Sequence, residues 1–188
     1  MNDIILLTER LIIRCWKDSD IELFAQMNMD KEVMKYFPKT LSYIETQERV
    51  EKIRSNIDEH NFGLYAVEYK TTEQFIGFTG FSTPTFEAYF TPCIEIGWRY
   101  RKEFWGQGFA TEAAKACLKY GFEVLNFDKI VSFTSTLNIN SEKVMKRIGM
   151  TFIGYFDNPQ IEENNPLCRH VLYQIENEKH KKTKEKLA

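Results

Sequence analysis

Several features that mark common protein classes are missing from this chain. Its four cysteines include no CxxC pair and its three histidines are dispersed, so the sequence predicts reduced thiols and no metal site. No apolar run reaches the roughly 20 residues of a membrane-spanning helix. The first residues lack the basic segment of a signal peptide. These absences predict a cytoplasmic protein without a membrane partner.

An excess of positive charge is missing as well. The formal net charge is −2, so no general affinity for nucleic acid is expected. The 188 residues are 43% hydrophobic and include 15 phenylalanines, which is enough for one sizeable core. We expect a single domain over residues 1–176. The charged residues 177–188 have no apolar periodicity and predict a frayed or disordered tail.

The most informative stretch is a strand-like run that leads into a helix through two glycines. Residues 93–100 are rich in β-branched and aromatic side chains, and small apolar residues recur at helical spacing between 110 and 121. Gly106 and Gly108 lie at the junction, where glycine permits a sharp turn and close approach of a ligand. The first N–H groups of a helix are unpaired and partly positive, which suits a phosphate or pyrophosphate. The structural alternative is a glycine turn that merely begins a helix.

Two familiar phosphate-binding loops do not fit this stretch. A P-loop requires a Gly-Lys-Ser/Thr ending, which is absent. A dinucleotide-binding loop requires glycine or alanine where Thr111 stands, and an acidic residue at the end of the next strand. That strand ends in Ser135, Thr136 and Leu137.

A third kind of loop fits better. Residues 95–113, EIGWRYRKEFWGQGFATEA, resemble the acetyl-CoA loop (Q/R-x-x-G-x-G/A) of the GNAT N-acetyltransferases, and more closely the subgroup that includes the ribosomal-protein N-terminal acetyltransferases. The departures are Lys102, where proline is usual, and Glu103 in the Q/R position. Residues 6–14, LLTERLIIR, resemble the opening of the same subgroup. Residues 138–150 resemble the second GNAT signature, N-x-x-S-x-x-V-x-x-x-x-G-F/M, about thirty residues further along.

This resemblance implies a fold and a set of cofactor contacts. The fold is an α/β, mostly antiparallel seven-strand sheet with helices on both faces and a central strand pair that splays to admit pantetheine. The co-substrate is acetyl-CoA, with no metal. Backbone groups of Trp98 and Tyr100 are expected to pair with pantetheine, and amides of the loop to hold the pyrophosphate. The implied cofactor contacts are Trp98, Tyr100, Phe104, Trp105, Gly106, Gln107, Gly108, Phe109, Ala110, Thr111, Asn138, Ser141 and Val144.

Two residues are candidates for proton transfer. Glu95 is a mid-strand carboxylate, which is costly to bury without a partner, and Gly97 on the same face leaves room for a ligand. The structural alternative is a Glu95 that pairs with a nearby Arg or Lys. By resemblance, Ser141 is the acid that protonates the leaving thiolate, because the tyrosine used by many GNAT members is replaced by Met145. Glu95 would act as base or relay through water, with a water chain alone as the alternative.

Periodicity and turn signals predict the remaining elements. A loop over 82–92 carries aromatic residues that either line a substrate mouth or pack on themselves. Asn140 or Ser141 is expected to cap a short helix that Gly149 closes. The other predictions are a strand over 4–16, a helix that begins at residues 18–20, a short helix over 31–36, a helix over 43–59, a hairpin of 62–69 with 75–81, and strands over 129–136, 152–156 and 167–175.

The leading functional hypothesis is a soluble, acetyl-CoA-dependent N-acetyltransferase that acts on a primary amine, either a protein N-terminus or a small molecule. Alternatives are an acyltransferase for an amino sugar, antibiotic or amino acid, a catalytically silent CoA-binding module, and a nucleotide-binding α/β protein. The fold and cofactor loop fix neither the acceptor nor the choice between monomer and homodimer.

Overall fold

The computed structural model describes residues 3–177. Their contacts separate into two compact units, residues 3–82 with 97–117 and residues 83–96 with 118–177. The single domain predicted from the sequence stays a prediction. Residues 178–188 of the predicted tail lie outside the described part of the chain.

The first unit is an antiparallel arrangement of strands with two helices. It contains β1 (Ile4–Leu7), β2 (Leu11–Arg14), α1 (Asp20–Met29), α2 (Tyr43–His60), β3 (Leu64–Tyr69) and β4 (Gln74–Ser82), and also the larger part of a third helix, α3 (Phe109–Glu123). Strands β1 to β4 pair with their neighbours in chain order, and the hairpin of β3 with β4 confirms the predicted one. An aromatic cluster of Trp16, Phe24, Phe75 and Phe78 occupies its core and holds α1 to the strands, and Val50 and Ile53 of α2 belong to the same cluster.

The prediction of one strand over residues 4–16 is wrong, because the chain reverses at Thr8. The Thr8 N–H donates to the Leu11 carbonyl at 3.0 Å, and the Leu11 N–H donates to the Thr8 hydroxyl at 2.9 Å. These two bonds close a turn, and Ile4 then lies opposite Arg14 in an antiparallel pair. Within residues 3–177 the sheet therefore has eight strands instead of seven.

The short helix predicted over residues 31–36 is also wrong, because the segment forms successive turns. The Asp30 carboxylate accepts a hydrogen bond from the Glu32 N–H at 2.8 Å, as at a helix start, but Pro38 follows so soon that only turns form. The following helix is confirmed, and a capping box between Ser42 and Glu45 fixes its start.

The second unit contains the beginning of β5 (Glu95–Tyr100), whose last four residues belong to the first unit. It also contains β6 (Lys129–Ser135), α4 (Ile139–Arg147), β7 (Thr151–Asp157) and β8 (Arg169–Glu176). Strand β8 pairs antiparallel with β6 and β7, whereas β5 pairs in parallel with β6, with Glu95 opposite Val131. The strand order is β1-β2-β3-β4-β5-β6-β8-β7. The mixed α/β, mostly antiparallel fold predicted from the sequence is thus confirmed.

Loop aromatics supply much of the second unit's core. Phe86 and Phe90 pack against Phe133 and Phe156, with ring centroids 4.8 to 6.1 Å apart. Tyr89 contacts Phe90 but is 68% exposed. Phe86 and Phe90 also contact each other, with ring centroids 6.2 Å apart. Of the two alternatives for this loop, packing on its own aromatic residues therefore describes these two phenylalanines.

Candidate active site

The glycines between β5 and helix α3 (Phe109–Glu123) adopt backbone conformations that favour glycine. A single 3₁₀ turn, Lys102–Phe104, precedes them. Gly106 has φ +75° and Gly108 has φ +84°, in the left-handed region where other residues are strained. No atom lies within 4 Å of the position that a Cβ on Gly106 would occupy, so a ligand has room beside its backbone.

The beginning of α3 presents unpaired backbone donors. Its first hydrogen bond runs from the Glu112 N–H to the Gly108 carbonyl at 3.0 Å. Within residues 3–177, the N–H groups of Phe109, Ala110 and Thr111 have no hydrogen-bond acceptor. A helix start with three unpaired amides and the positive end of its dipole fits a diphosphate group. The residues therefore fit the cofactor that the loop sequence implies.

A cluster around Glu112 holds this loop to the turn between β1 and β2. One carboxylate oxygen accepts hydrogen bonds from the Thr8 hydroxyl at 2.6 Å and the Arg10 N–H at 2.9 Å. The other accepts from Arg10 Nε at 2.7 Å and lies 2.6 Å from Arg10 Nη2. Arg10 also donates to the Gln107 carbonyl at 3.0 Å and lies over the Phe109 ring at 4.4 Å. We call Thr8, Arg10 and Glu112 the loop clamp.

The loop clamp was missed by the sequence analysis, although both segments that form it were recognised. Burial of Glu112 disfavours its charge, but hydrogen bonds from Thr8 and Arg10 outweigh this, so the pKa of Glu112 lies below its ordinary value of 4.5. The carboxylate is therefore charged at neutral pH. Its two partners join the opening motif to the loop motif, which explains why the two occur together in this chain.

The predicted contacts on β5 are placed as follows. Trp98 is half-buried, and Tyr100 is 5% exposed with its hydroxyl 2.6 Å from Thr79 Oγ1. Burial raises the pKa of Tyr100 well above its usual range, so its phenol stays neutral. The indole N–H of Trp105 donates to the Tyr100 carbonyl at 2.8 Å. The Tyr100 carbonyl therefore keeps one further lone pair for a ligand.

The proposed base begins the same strand. Glu95 is half-buried and lies in register with Val131, whose N–H donates to the Ile94 carbonyl at 2.8 Å. Two residues along the strand, no atom lies within 4 Å of the Cβ position of Gly97. The room that the sequence predicted at Gly97 is present.

The proposed acid lies in the first turn of α4, where the predicted helix cap needs correction. The cap is Asn138, not Asn140 or Ser141, since its side-chain oxygen accepts from the Ser141 N–H at 3.2 Å. Its amide also donates to Thr134 Oγ1 at 3.1 Å, which fixes the cap to the end of β6. The Ser141 hydroxyl is half-buried and forms no hydrogen bond with the described residues.

The remaining candidates on α4 have different surroundings. Val144 is half-buried one turn after Ser141, whereas Met145 is 1% exposed and belongs to the core. Next to Ser141, Glu142 accepts a hydrogen bond from the Tyr173 hydroxyl at 2.7 Å and pairs with Lys146 at 2.7 Å. Bonds from Lys146 and Tyr173 lower the pKa of Glu142. This network holds the start of α4 to β8 and was missed by the sequence analysis.

Other kinds of site find no support in the part of the chain that the structure describes. Among residues 3–177, no group of three His, Cys, Asp or Glu residues is placed to hold a metal ion. No helix in that range combines the length and apolar character needed to cross a membrane.

Comparison with known proteins identifies the family. A sequence model described as an acetyltransferase (GNAT) domain matches residues 10–151, which is well over half of the chain. The chain belongs to the GNAT acetyltransferase family. It is 33% identical over 148 residues to the uncharacterized protein YkkB of Bacillus subtilis (strain 168), covering 78% of this chain and 85% of YkkB. It is 31% identical over 149 residues to the uncharacterized N-acetyltransferase YnaD of the same organism, covering 79% and 84%.

Solved structures agree with this family. A GNAT acetyltransferase from Bacillus anthracis has a TM-score of 0.78 and 29% identity, covering 92% of this chain and 98% of that one. A putative ribosomal-protein-serine acetyltransferase from Vibrio cholerae has a TM-score of 0.73 and 18% identity, covering 90% and 95%. Spermidine N-acetyltransferase from Vibrio cholerae, solved with CoA and spermine, has a TM-score of 0.73 and 19% identity, covering 92% and 99%. At such low identity the last two show the GNAT fold alone.

Proposed function

We propose that this GNAT protein transfers an acetyl group directly from acetyl-CoA to a primary amine. The observation that carries the proposal is the start of α3, where three unpaired backbone amides lie beside two glycines in the left-handed conformation. The loop clamp fixes this arrangement in advance, so little ordering is needed when a diphosphate binds. The CoA bound by the Vibrio cholerae spermidine acetyltransferase supports the same co-substrate.

The residues of β5 and α4 complete the proposed cofactor contacts. Backbone groups of Trp98 and Tyr100 would accompany the pantetheine arm as a neighbouring strand does, while Asn138, Ser141 and Val144 would contact it from α4. Among residues 3–177, β5 and β6 pair only where Glu95 lies opposite Val131, and this limited pairing supports a splayed strand pair. Bound acetyl-CoA would supply an acetyl group activated as a thioester.

Proton transfer is assigned to Glu95 and Ser141. An ammonium has no lone pair, so Glu95 removes a proton from the acceptor amine, directly or through a water. The Ser141 hydroxyl has no protein partner within residues 3–177 and is available to donate to the departing sulfur. The Trp98 N–H is the proposed donor to the thioester oxygen, where negative charge develops.

A free-CoA release assay against a panel of amines and N-terminal peptides tests the proposal. Glu95→Gln and Ser141→Ala should each lower kcat by about 10²- to 10⁴-fold, the usual contribution of a positioned acid or base. Calorimetry with acetyl-CoA should show unchanged affinity for Glu95→Gln. The matched controls are Glu163→Gln and Ser55→Ala, both on exposed positions, and both should retain wild-type turnover.

Three other outcomes would each change the conclusion. Full turnover in both variants would leave proton transfer to a water chain. Acetyl-CoA binding without turnover on any amine would indicate a silent CoA-binding module. A thermal shift with NAD and none with acetyl-CoA would overturn the proposal in favour of a nucleotide-binding protein.

A further inference from the structure

Arg99 on β5 is a buried cation without an acidic partner. Arg99 is 7% exposed, and within the described residues 3–177 its side chain forms one hydrogen bond, from Nη1 to the Asn28 side-chain oxygen at 2.7 Å. Among residues 3–177 no carboxylate pairs with it, and Nε is buried without any acceptor. Burying a guanidinium is costly unless a counter-charge compensates it.

Arg14, in the same unit, shows how this protein buries an arginine for structure. It is 3% exposed and pairs with Asp20 at 2.7 Å and Glu68 at 2.8 Å. Burial disfavours its charge, yet the bonds from Asp20 and Glu68 raise its pKa. Burial lowers the pKa of Arg99 to about 9, and the positive charge of Arg49 adds to the effect. The two buried arginines thus have opposite electrostatic environments.

The hydrogen bonds of Asn28 orient the unpaired edge of Arg99. Asn28 is fully buried and donates to Thr46 Oγ1 at 3.1 Å, and the Thr46 hydroxyl donates to the Ser42 carbonyl at 2.9 Å. This series of hydrogen bonds fixes the position of Nη1 of Arg99. Nε and Nη2, which lie side by side on the other edge of the planar group, donate to no acceptor within residues 3–177. Two parallel N–H donors on one edge match the two oxygens of a carboxylate.

The surroundings favour an anion at this edge. The guanidinium carbon lies over the Phe37 ring at 3.9 Å, and this apolar contact supplies no hydrogen-bond acceptor to the Nε/Nη2 edge. Gly97 lies two residues before Arg99 on the same face of β5, and no atom lies within 4 Å of its Cβ position. Space for a ligand is therefore present about 7 Å along the strand from Arg99, at the usual strand rise.

We propose that the Nε/Nη2 edge of Arg99 binds a carboxylate of the acceptor, so that this GNAT protein acetylates amines that also carry a carboxylate group. The inference rests on the proposed function and names its substrate class. The bound carboxylate supplies the counter-charge that Arg99 lacks, and Arg49 adds a second positive charge nearby. Arg99 acts as a specificity residue: it takes no part in proton transfer.

Matched acceptors test the proposal on the full chain. Each pair joins the same amine to a carboxylate or to a carboxamide, such as 4-aminobutyrate with 4-aminobutanamide, and phenylalanine with phenylalaninamide. In the free-CoA release assay, kcat/KM should favour the carboxylate member of at least one pair by about 10- to 100-fold, mainly through KM. Arg99→Met should abolish the preference, while the carboxamide member keeps its wild-type kcat/KM.

Two further variants separate binding from folding. Arg99→Lys keeps the charge but lacks the two-donor edge, so it should restore only part of the preference. Arg54→Met removes an arginine of α2 that pairs with Asp18 at 2.8 Å, and it should leave the preference intact. The wild-type preference itself needs no variant, so the proposal stays falsifiable if Arg99→Met fails to fold.

The outcomes distinguish this inference from the proposed function. Acetylation of carboxamides as efficient as that of carboxylates, or a preference for aminoethyl phosphate, overturns the inference and leaves N-acetylation standing. Turnover on no amine overturns the proposed function. Calorimetry of the carboxylate amines with the CoA-loaded protein then decides the inference. Binding by the wild-type protein that is lost in Arg99→Met supports it, and absence of binding by the wild-type protein refutes it.

Discussion

Replacement of Glu112 by glutamine should weaken both the fold and the cofactor loop. The glutamine keeps one oxygen that can accept from the Thr8 hydroxyl and the Arg10 N–H. Its NH₂ group faces the Arg10 guanidinium, and since both groups are donors no hydrogen bond forms between them. One charge-assisted hydrogen bond, from Arg10 Nε at 2.7 Å, and the ion-pair contact with Arg10 Nη2 at 2.6 Å are lost. Such bonds contribute about 1.5–3 kcal/mol each when buried. Arg10 is 38% exposed, and exposed ion pairs contribute at most about 1 kcal/mol.

These two limits give an expected loss of about 1–3 kcal/mol in the free energy of unfolding. For a chain of this size that lowers Tm by roughly 2–12 °C. The loop should also lose its preset geometry, since Arg10 no longer holds the Gln107 carbonyl at 3.0 Å. We expect acetyl-CoA affinity to fall about tenfold, equivalent to about 1.4 kcal/mol.

Urea unfolding and calorimetry with acetyl-CoA measure the two effects. A double-mutant cycle with Arg10→Met should give a coupling energy of about 1–2 kcal/mol, as expected for residues in direct contact. Glu123→Gln, an exposed change on the same helix 4.0 Å from Lys119, is the matched control and should change neither quantity. The reasoning fails if the cycle is additive within about 0.5 kcal/mol or if acetyl-CoA affinity is unchanged.

Two further predictions concern other parts of the chain. Gly97→Ala should change the free energy of unfolding by less than about 0.5 kcal/mol, because the added Cβ meets no atom within 4 Å. The same variant should lower kcat/KM for the acceptor at least tenfold and leave acetyl-CoA affinity unchanged. An unchanged kcat/KM would show that the acceptor lies elsewhere. Burial lowers the pKa of His170 below 6.5, although its bond to the Cys168 carbonyl opposes the shift, so the unfolded chain binds a proton that the folded chain does not. The free energy of unfolding should therefore decrease as pH falls below about 6.5, and His170→Phe should reduce this decrease in urea unfolding measured at pH 5–8.

The cofactor side of the site was largely predictable from the sequence, because its geometry is local. Gly106 and Gly108 predict left-handed turns by residue type alone, and the small residues that follow predict the helix. The two errors in the first fifty residues have local causes as well. The Thr8 hydroxyl accepts from the Leu11 N–H and closes a turn that interrupts the strand, whereas Pro38 follows Asp30 too closely for a regular helix to form between them.

The clamp and the acceptor side were not predictable, since they depend on contacts between distant segments. Thr8 and Arg10 meet Glu112 across more than one hundred residues, and Arg99 meets Asn28 across 71. Strand alternation placed Arg99 on the same face as Glu95 and Gly97, but an arginine on a strand is ordinarily paired with an acid. Only the three-dimensional contacts show that this one is not.

The contrast between Arg14 and Arg99 bears on how one fold serves many acceptors. Arg14 and its two acids are mutually satisfied and leave nothing for a ligand, so their contribution is to the fold. Arg99 keeps an unpaired edge at a cost in stability, which selection retains only where function requires it. If that edge were merely structural, Arg99→Met would fill the same space without a buried charge and should stabilise the protein with no effect on acceptor choice. If it is functional, the same variant should gain stability and lose its preference for carboxylates, so measuring both quantities on one variant separates the two explanations.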